Sequence, residues 1–170
     1  MMLARLITAA ACLLAQDDPA APAPKLTMTP GIVCETVTGY EDYEKRKDAV
    51  LTRDEKLLVY YEPNGYDYAL KDNEYRVHLV QDARIRRRGE KKVLQAKDKL
   101  LEYKGKFKEP PLNLYLSNVI SLKALPPGDY DLEIILHDEL SKAPPTSQIV
   151  PFRVKPVEEA KEPEPGKDKL

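Results

Sequence analysis

The chain has 170 residues and a formal net charge of −1, with 27 Lys and Arg against 28 Asp and Glu. This length suits one domain with short extensions. The balanced charge excludes the strongly basic class of nucleic-acid binders, so no nucleic acid is expected as a partner. Tryptophan is absent and Phe occurs only 2 times, so the 10 tyrosines supply most of the aromatic surface. Tyrosine is an amphipathic ring that suits half-buried sheet surfaces.

The first stretch, residues 1–15 (MMLARLITAAACLLA), has the pattern of a secretory signal peptide. Arg5 provides the positive start, and the apolar run 6–14 is too short to span a bilayer. Cleavage after this stretch leaves a Pro/Ala-rich linker over 16–29. The alternative is a lipoprotein lipidated at Cys12, which fits less well because few apolar residues precede that cysteine. The sequence thus predicts an exported protein, periplasmic or at the cell surface, with no transmembrane segment.

Removal of the signal leaves Cys34 as the single cysteine of the mature chain. One thiol cannot form an internal disulfide, so the core has to hold the fold together unaided. The apolar neighbours Ile32 and Val33 predict that Cys34 is a small buried hydrophobe. An intermolecular disulfide is the alternative.

Between the linker and a charged tail at 157–170, predicted to be disordered, the domain at 30–156 shows mainly β patterning. Short apolar or alternating runs bounded by turn residues lie at 32–38, 56–62, 75–80, 84–94 (two runs around Gly89), 112–122, 129–137 and 148–154. About seven such strands with little helical periodicity predict an all-β, immunoglobulin-like antiparallel sandwich forming a single domain. Two segments do not fit. The segment 96–108 suits a helical turn or an irregular edge, and 40–55 looks like a polar excursion.

The stretch Leu-Pro-Pro-Gly-Asp-Tyr at 125–130 precedes the best alternating strand. In immunoglobulin-like and fibronectin-like sandwiches, a tyrosine at the start of a late strand donates a hydrogen bond to backbone a few residues upstream. Tyr130 is predicted to be this structural tyrosine corner. Together with 37–40 and 57–62, the stretch resembles exported bacterial immunoglobulin-like or fibronectin-type-III-like β-sandwich domains of uncharacterised function. The resemblance implies a fold and an export route over 32–155, and it implies no functional residue.

Two sets of residues are candidates for binding. The stretch YYEPNGYDY at 60–68 places tyrosines around a turn, and exposed rings there would stack on sugars. The alternative is that the first two tyrosines belong to the core and Pro-Asn-Gly only makes the turn. Between 84 and 108, 11 Lys or Arg stand against 3 acidic residues, with the densest cluster at a hairpin tip. The candidate residues are Tyr66, Tyr68, Arg84, Arg86, Arg87, Arg88, Lys91 and Lys92.

The basic hairpin has two interpretations. It would attract an anionic envelope polymer, lipid headgroups or an acidic protein partner. Alternatively, its charges protect an edge strand from aggregation and need no partner. The sequence gives no basis for choosing the partner or the oligomeric state.

Catalytic and metal sites are not predicted. The two histidines, His78 and His137, are far apart in the chain and show no ligand spacing. There is no nucleophile elbow, no phosphate-binding glycine loop and no cysteine–histidine pairing. We therefore expect no enzyme activity and no cofactor. The sequence favours an exported interaction or scaffold module of the cell envelope that binds through a sheet face, an edge or the basic hairpin. A polysaccharide-binding module is the alternative.

Overall fold

The computed structural model describes residues 25–141 and 143–156. Within these ranges the chain forms twelve β-strands and no helix, so the predicted all-β class is confirmed. The predicted number of about seven strands is too low, because segments without clear alternation also form strands. The predicted signal peptide (1–15) and charged tail (157–170) lie outside the described residues. No helix in the described part of the chain has the length and apolarity required to span a bilayer.

The strands are numbered in chain order. They are β1 (Thr27–Met28), β2 (Ile32–Gly39), β3 (Asp42–Lys45), β4 (Val50–Thr52), β5 (Lys56–Tyr61), β6 (Pro63–Asn64), β7 (Ala69–Lys71), β8 (Glu74–Arg87), β9 (Val93–Phe107), β10 (Leu116–Ser121), β11 (Gly128–Asp138) and β12 (Thr146–Lys155).

The strands form three sheets. The largest has the order β4-β12-β11-β8-β7. In addition, β9 pairs with the edge of β8 that lies opposite β11. All its pairs are antiparallel except β4 with β12, which is parallel. The second sheet has four antiparallel strands in the order β10-β5-β2-β3, and β1 and β6 form a short separate pair. The largest sheet curls into a half-barrel rather than lying flat.

The core lies between the two larger sheets. Along β11 every second residue from Tyr130 to Leu136 is fully buried, because successive side chains of a strand point to opposite faces. The opposing β5 buries its own alternate residues in the same hydrophobic cluster. The central members of the cluster are Leu57, Val59, Tyr61, Tyr130, Leu132, Ile134, Leu136 and Phe152.

Three segments differ from their predicted structure. The segment 96–108 is almost entirely the edge strand β9, so of its two interpretations the edge is correct and the helical turn is wrong. The excursion at 40–55 contains β3 and β4, each held by backbone pairing to a neighbouring strand. The predicted linker, 16–29, overlaps β1, and Leu26 beside it is only 2% exposed. The folded part therefore begins before residue 30.

Tyr130 closes the turn before β11. Its hydroxyl donates a 2.6 Å hydrogen bond to the carbonyl oxygen of Pro126, four residues upstream, and the side chain is fully buried. This is the geometry that the sequence predicts. The ring also stacks on Phe152 of the neighbouring β12, with a centroid distance of 5.5 Å. The tyrosine thus ties the loop before β11 to the core.

Cys34 lies on β2 and is 3% exposed. Burial raises the pKa of its thiol, because desolvation disfavours the thiolate. The Sγ donates weakly to the carbonyl oxygen of Ile32 at 3.4 Å. These observations agree with the buried hydrophobe that the sequence predicts.

Candidate binding site

One open side of the molecule lies between β9 and β10, which are end strands of the two larger sheets. In the described part of the chain, β9 pairs only with β8, and β10 pairs only with β5. The second edge of each strand carries unpaired backbone N–H and C=O groups, which is the surface that strand addition uses. The β9 edge is the longer of the two, with 15 residues against 6.

Two cavities lie along β9 on this open side. The first, of about 470 Å³, is lined by residues of β8, β9 and β10, with Leu94, Leu100 and Ile120 among its apolar walls. The second, of about 380 Å³, lies between the end of β9 and the segment 113–117 that leads into β10. Because each cavity is lined from both sides, together they form a cleft between the two sheets. We call it the β9 cleft.

The inner face of β9 is apolar but incompletely covered. Leu101, Tyr103 and Phe107 contact the core and remain half-buried, and all three line the second cavity. Gly105 lies between the two rings, and a Cβ atom at this position would be 2.5 Å from Phe107 and 2.8 Å from Tyr103. Glycine therefore permits both rings to fold against the same stretch of strand. A further strand beside β9 would cover this face.

A bulge divides the edge into two parts. The pairing with β8 shifts between Gln81 and Ala83, where β9 carries extra residues and Lys99 adopts a φ of 50°. The backbone N–H of Lys99 donates a 2.9 Å hydrogen bond to the Asp82 carboxylate, which fixes the bulge. Beyond it, residues 101–107 pair with β8 without interruption. The regular part of the edge is thus the part beside the second cavity.

The outer face of this regular part is charged. Glu102 accepts a 2.8 Å hydrogen bond from Lys104 and lies 2.9 Å from Nε2 of His78. These two partners hold the pKa of Glu102 at about 2, well below its ordinary value. Lys106 is exposed and forms no ion pair with any described residue. The carboxylate is therefore already engaged, and positive charge remains on this face.

The depressed pKa of Glu102 predicts a pH-dependent stability. The contacts of Glu102 with Lys104 and His78 stabilise the fold above the ordinary glutamate pKa of 4.5, and this contribution disappears as the pH falls towards 2. We expect the stability difference between the native chain and Glu102→Gln to shrink over that range, measured by urea unfolding. Glu90→Gln, at the hairpin tip, is the matched control and should leave the profile unchanged. Parallel profiles for the native chain and Glu102→Gln would contradict the prediction.

The arginines of the basic hairpin are largely engaged within the protein. Arg86 forms a 2.7 Å ion pair with Glu133, and Arg88 lies 3.2 Å from the Asp131 carboxylate, both on β11. Arg87 lies over the ring of Tyr130, 5.6 Å from its centroid. Cross-strand charge pairs of this kind stabilise a sheet. The cluster therefore has a structural role that its sequence did not reveal.

The other candidates of the hairpin are placed differently. Arg84 is half-buried and lies across from Glu133 in the strand register. Lys91 and Lys92 are exposed in the turn that follows Gly89, whose φ of 81° suits glycine. Arg88 is also exposed, but the two lysines, unlike Arg88, form no ion pair with any described residue.

The tyrosines of 60–68 do not form one flat platform. Tyr61 is buried in the core, as expected if the first tyrosines belong to the strand. Tyr66 is half-buried, and its hydroxyl donates a 2.8 Å hydrogen bond to the carbonyl oxygen of Pro111. Tyr68 is 48% exposed and meets Tyr75 edge to face. The structure thus separates the roles of Tyr66 and Tyr68, and sugar stacking by both stays an untested prediction.

A second tyrosine cluster lies on the four-stranded sheet. The ring of Tyr60 lies 4.5 Å from Tyr43 and 5.5 Å from Tyr115, measured between centroids. Its hydroxyl donates to Glu62 at 2.7 Å and accepts from the backbone N–H of Glu41 at 3.0 Å. Burial, and then Glu62, raise the pKa of Tyr60 well above its usual range. These rings contact one another and stabilise the sheet.

Each histidine lies beside a single carboxylate: His78 with Glu102 at 2.9 Å, and His137 with Asp82 at 3.1 Å. No group of three or more metal-ligating side chains occurs among the residues the structure describes.

Comparison of the chain with protein-family models and with curated proteins finds no match. The site is therefore defined by its geometry alone. The β9 cleft is not among the sites predicted from the sequence, although the sequence carries a signal for it. Leu101, Tyr103 and Phe107 follow period two, and Gly105 interrupts the apolar pattern at the one position where the rings meet.

Proposed function

We propose that the protein is a non-catalytic interaction module, exported to the bacterial cell envelope, that binds an extended segment of a protein partner at the β9 edge. The observation that carries the proposal is the regular stretch 101–107, which pairs with β8 along one edge and with no described strand along the other, beside the apolar β9 cleft. An extended segment added there would gain backbone hydrogen bonds from β9 and would bury its inward side chains against half-exposed apolar ones. The non-catalytic part rests on the sequence, which contains no recognisable nucleophile or phosphate-binding motif.

The β9 edge is favoured over the basic hairpin and over the tyrosines of the four-stranded sheet, because fewer of its groups already have a partner within the protein. The hairpin arginines are engaged by carboxylates of β11, and the tyrosines of the four-stranded sheet contact one another. The β9 edge still has backbone groups that pair with no described strand, and its apolar face is only half-covered by the core. Binding at this edge completes pairing that the fold leaves open.

An immunoglobulin-like relationship of the sandwich is part of the proposal. It is supported by the two facing antiparallel sheets and by the hydrogen bond of the Tyr130 hydroxyl to Pro126 at the start of a late strand. The larger strand number and the curl of the main sheet mark where this chain departs from that pattern.

Export is supported by the N-terminal sequence, and its processing can be measured directly. We expect the protein recovered from the cell envelope to begin at residue 16, which mass spectrometry of the intact chain would show. A chain that begins at Cys12 and carries the additional mass of lipid would identify the lipoprotein alternative. A chain retained in the cytoplasm with residues 1–15 intact would contradict export.

Strand addition can be tested with a neutral extended peptide, since binding should not require a particular charge. The probe is an acetylated and amidated peptide of alternating valine and threonine, titrated into the isotope-labelled full chain. We expect NMR shifts and slower amide exchange in residues 101–107. The control peptide replaces the central threonines with proline, which removes backbone donors and cannot pair as a strand.

The two peptides give distinguishable results. Shifts at 101–107 that require the unsubstituted peptide support edge binding. Equal shifts with the proline peptide, or shifts confined to the hairpin tip around Lys91 and Lys92, would contradict it.

A further inference from the structure

We infer that the partner segment of the β9 edge is an acidic strand, in which apolar residues alternate with Asp or Glu. This inference rests on the proposed function and specifies the chemistry of its partner. It is carried by the different characters of the two faces of residues 101–107. An added strand shares this division, because its side chains alternate between the same two faces.

The inner face determines the apolar half of the pattern. Leu101, Tyr103 and Phe107 line a cavity of about 380 Å³ whose opposite wall includes Leu114 and Leu116. The inward residues of an added strand would lie directly beside these side chains, at the distance of a cross-strand pair. A polar residue there would lose contact with water without gaining a hydrogen-bond partner. Every second residue of the partner is therefore expected to be apolar.

The outer face of residues 101–107 determines which charged residues are expected in the partner strand. From Lys91 to Lys108 the chain has seven lysines against Asp98 and Glu102, so the strand and its flanks are strongly positive. Glu102 is engaged by Lys104 and His78, whereas Lys106 and Lys108 are exposed and form no ion pair with any described residue. Opposite charges on neighbouring strands stabilise a sheet, and like charges destabilise it. An outward-facing carboxylate of the partner would meet these lysines.

The same lysines also prevent two copies of the chain from pairing along β9, since both edges would carry like charge. This negative role requires no acidic partner. The two roles differ in a measurable way, because only an acidic partner makes binding depend on the sign of the charge on the peptide.

The experiment compares three peptides of equal length on the full chain. The first alternates valine and glutamate, the second alternates valine and lysine, and the third has the composition of the first with its valines and glutamates in two blocks. Affinity is measured by fluorescence anisotropy, and the site is located by NMR shifts of residues 101–107. We expect the alternating acidic peptide to bind at least about tenfold more tightly than either of the others, consistent with a few exposed ion pairs.

Matched variants show which lysines of the protein cause the preference for the acidic peptide. Lys106→Glu with Lys108→Glu should abolish the preference for the acidic peptide, whereas Lys91→Glu with Lys92→Glu should preserve it. Both double variants make the same change in net charge, so the overall field of the protein is controlled. Lys106→Gln, which removes an unpaired exposed lysine, should lower the preference severalfold if the first double variant does not fold.

Each outcome decides a different point. Equal binding of the acidic and basic alternating peptides at 101–107 would overturn the acidic strand and leave edge binding intact. Equal binding of the block peptide would overturn strand recognition in favour of simple attraction to a polyanion. No shift of 101–107 with any peptide would overturn both this inference and the proposed function.

Discussion

Replacement of Tyr130 with phenylalanine is expected to lower the free energy of unfolding by about 1–3 kcal/mol. The substitution keeps the ring, and with it the stacking on Phe152 and the contact with Arg87. It removes only the hydroxyl, which donates to the carbonyl of Pro126 at 2.6 Å from a fully buried side chain. A loss of this size is expected because the carbonyl of Pro126 loses the donor that closes the turn before β11. Urea denaturation followed by tyrosine fluorescence or circular dichroism measures it.

Tyr68→Phe is the matched control. Tyr68 is 48% exposed, and its hydroxyl forms no hydrogen bond with any described residue, so the same substitution should change stability by less than about 0.5 kcal/mol. Equal effects of the two substitutions would show that the Tyr130 hydroxyl does not hold the turn before β11. The m-value should be the same in both variants, because neither changes the surface exposed on unfolding.

The parts of the fold that were predictable from sequence are those where local pattern and burial agree. The alternation of Tyr130, Leu132, Ile134 and Leu136 marks β11, and all four are buried as the pattern requires. The Gly89 hairpin was predictable because a positive φ at the turn favours glycine. In both places a short-range rule is sufficient.

The parts that were not predictable depend on partners distant in sequence. β4 is three residues long and exists because it pairs in parallel with β12, about a hundred positions later. β1 also depends on a distant partner, because it pairs antiparallel with β6, 35–37 positions later, although its neighbours read as linker. Backbone pairing of this kind leaves no periodic signal in so few residues.

The candidate binding site was also not predictable, because it too depends on partners distant in sequence. Six basic residues at 84–92 look like an exposed cluster, but the register places Asp131 and Glu133 beside two of the arginines. The strand 101–107 looks irregular, because Gly105 interrupts its apolar face. Strand order determines which charged side chains stay unpaired and which strand edge stays open. Short stretches of sequence do not encode strand order.

Replacement of Gln81 with leucine is expected to destabilise the protein by about 1–4 kcal/mol. Gln81 is fully buried between the sheets, where its side-chain oxygen accepts hydrogen bonds from the Tyr61 hydroxyl and, at 2.6 Å, from the Asn118 amide. Leucine has a similar size but no acceptor, so both donors lose their partner away from water. The effect is reduced because Nε2 of Gln81 is itself buried without a hydrogen bond in the described structure, and leucine removes that cost.

The cause of this loss can be separated from a loss of packing. In the triple variant Tyr61→Phe, Gln81→Leu and Asn118→Leu, no polar group of the network remains, so no donor is left unsatisfied. Because removal of all partners costs less than removal of one, the triple variant is expected to be more stable than Gln81→Leu alone. Gln95→Leu, at a half-buried position on the cleft, is the control and should change stability by less than about 0.5 kcal/mol. If Gln81→Leu unfolds at the same urea concentration as the native chain, the polar network does not link the two sheets, and the apolar cluster around it holds them together without its help.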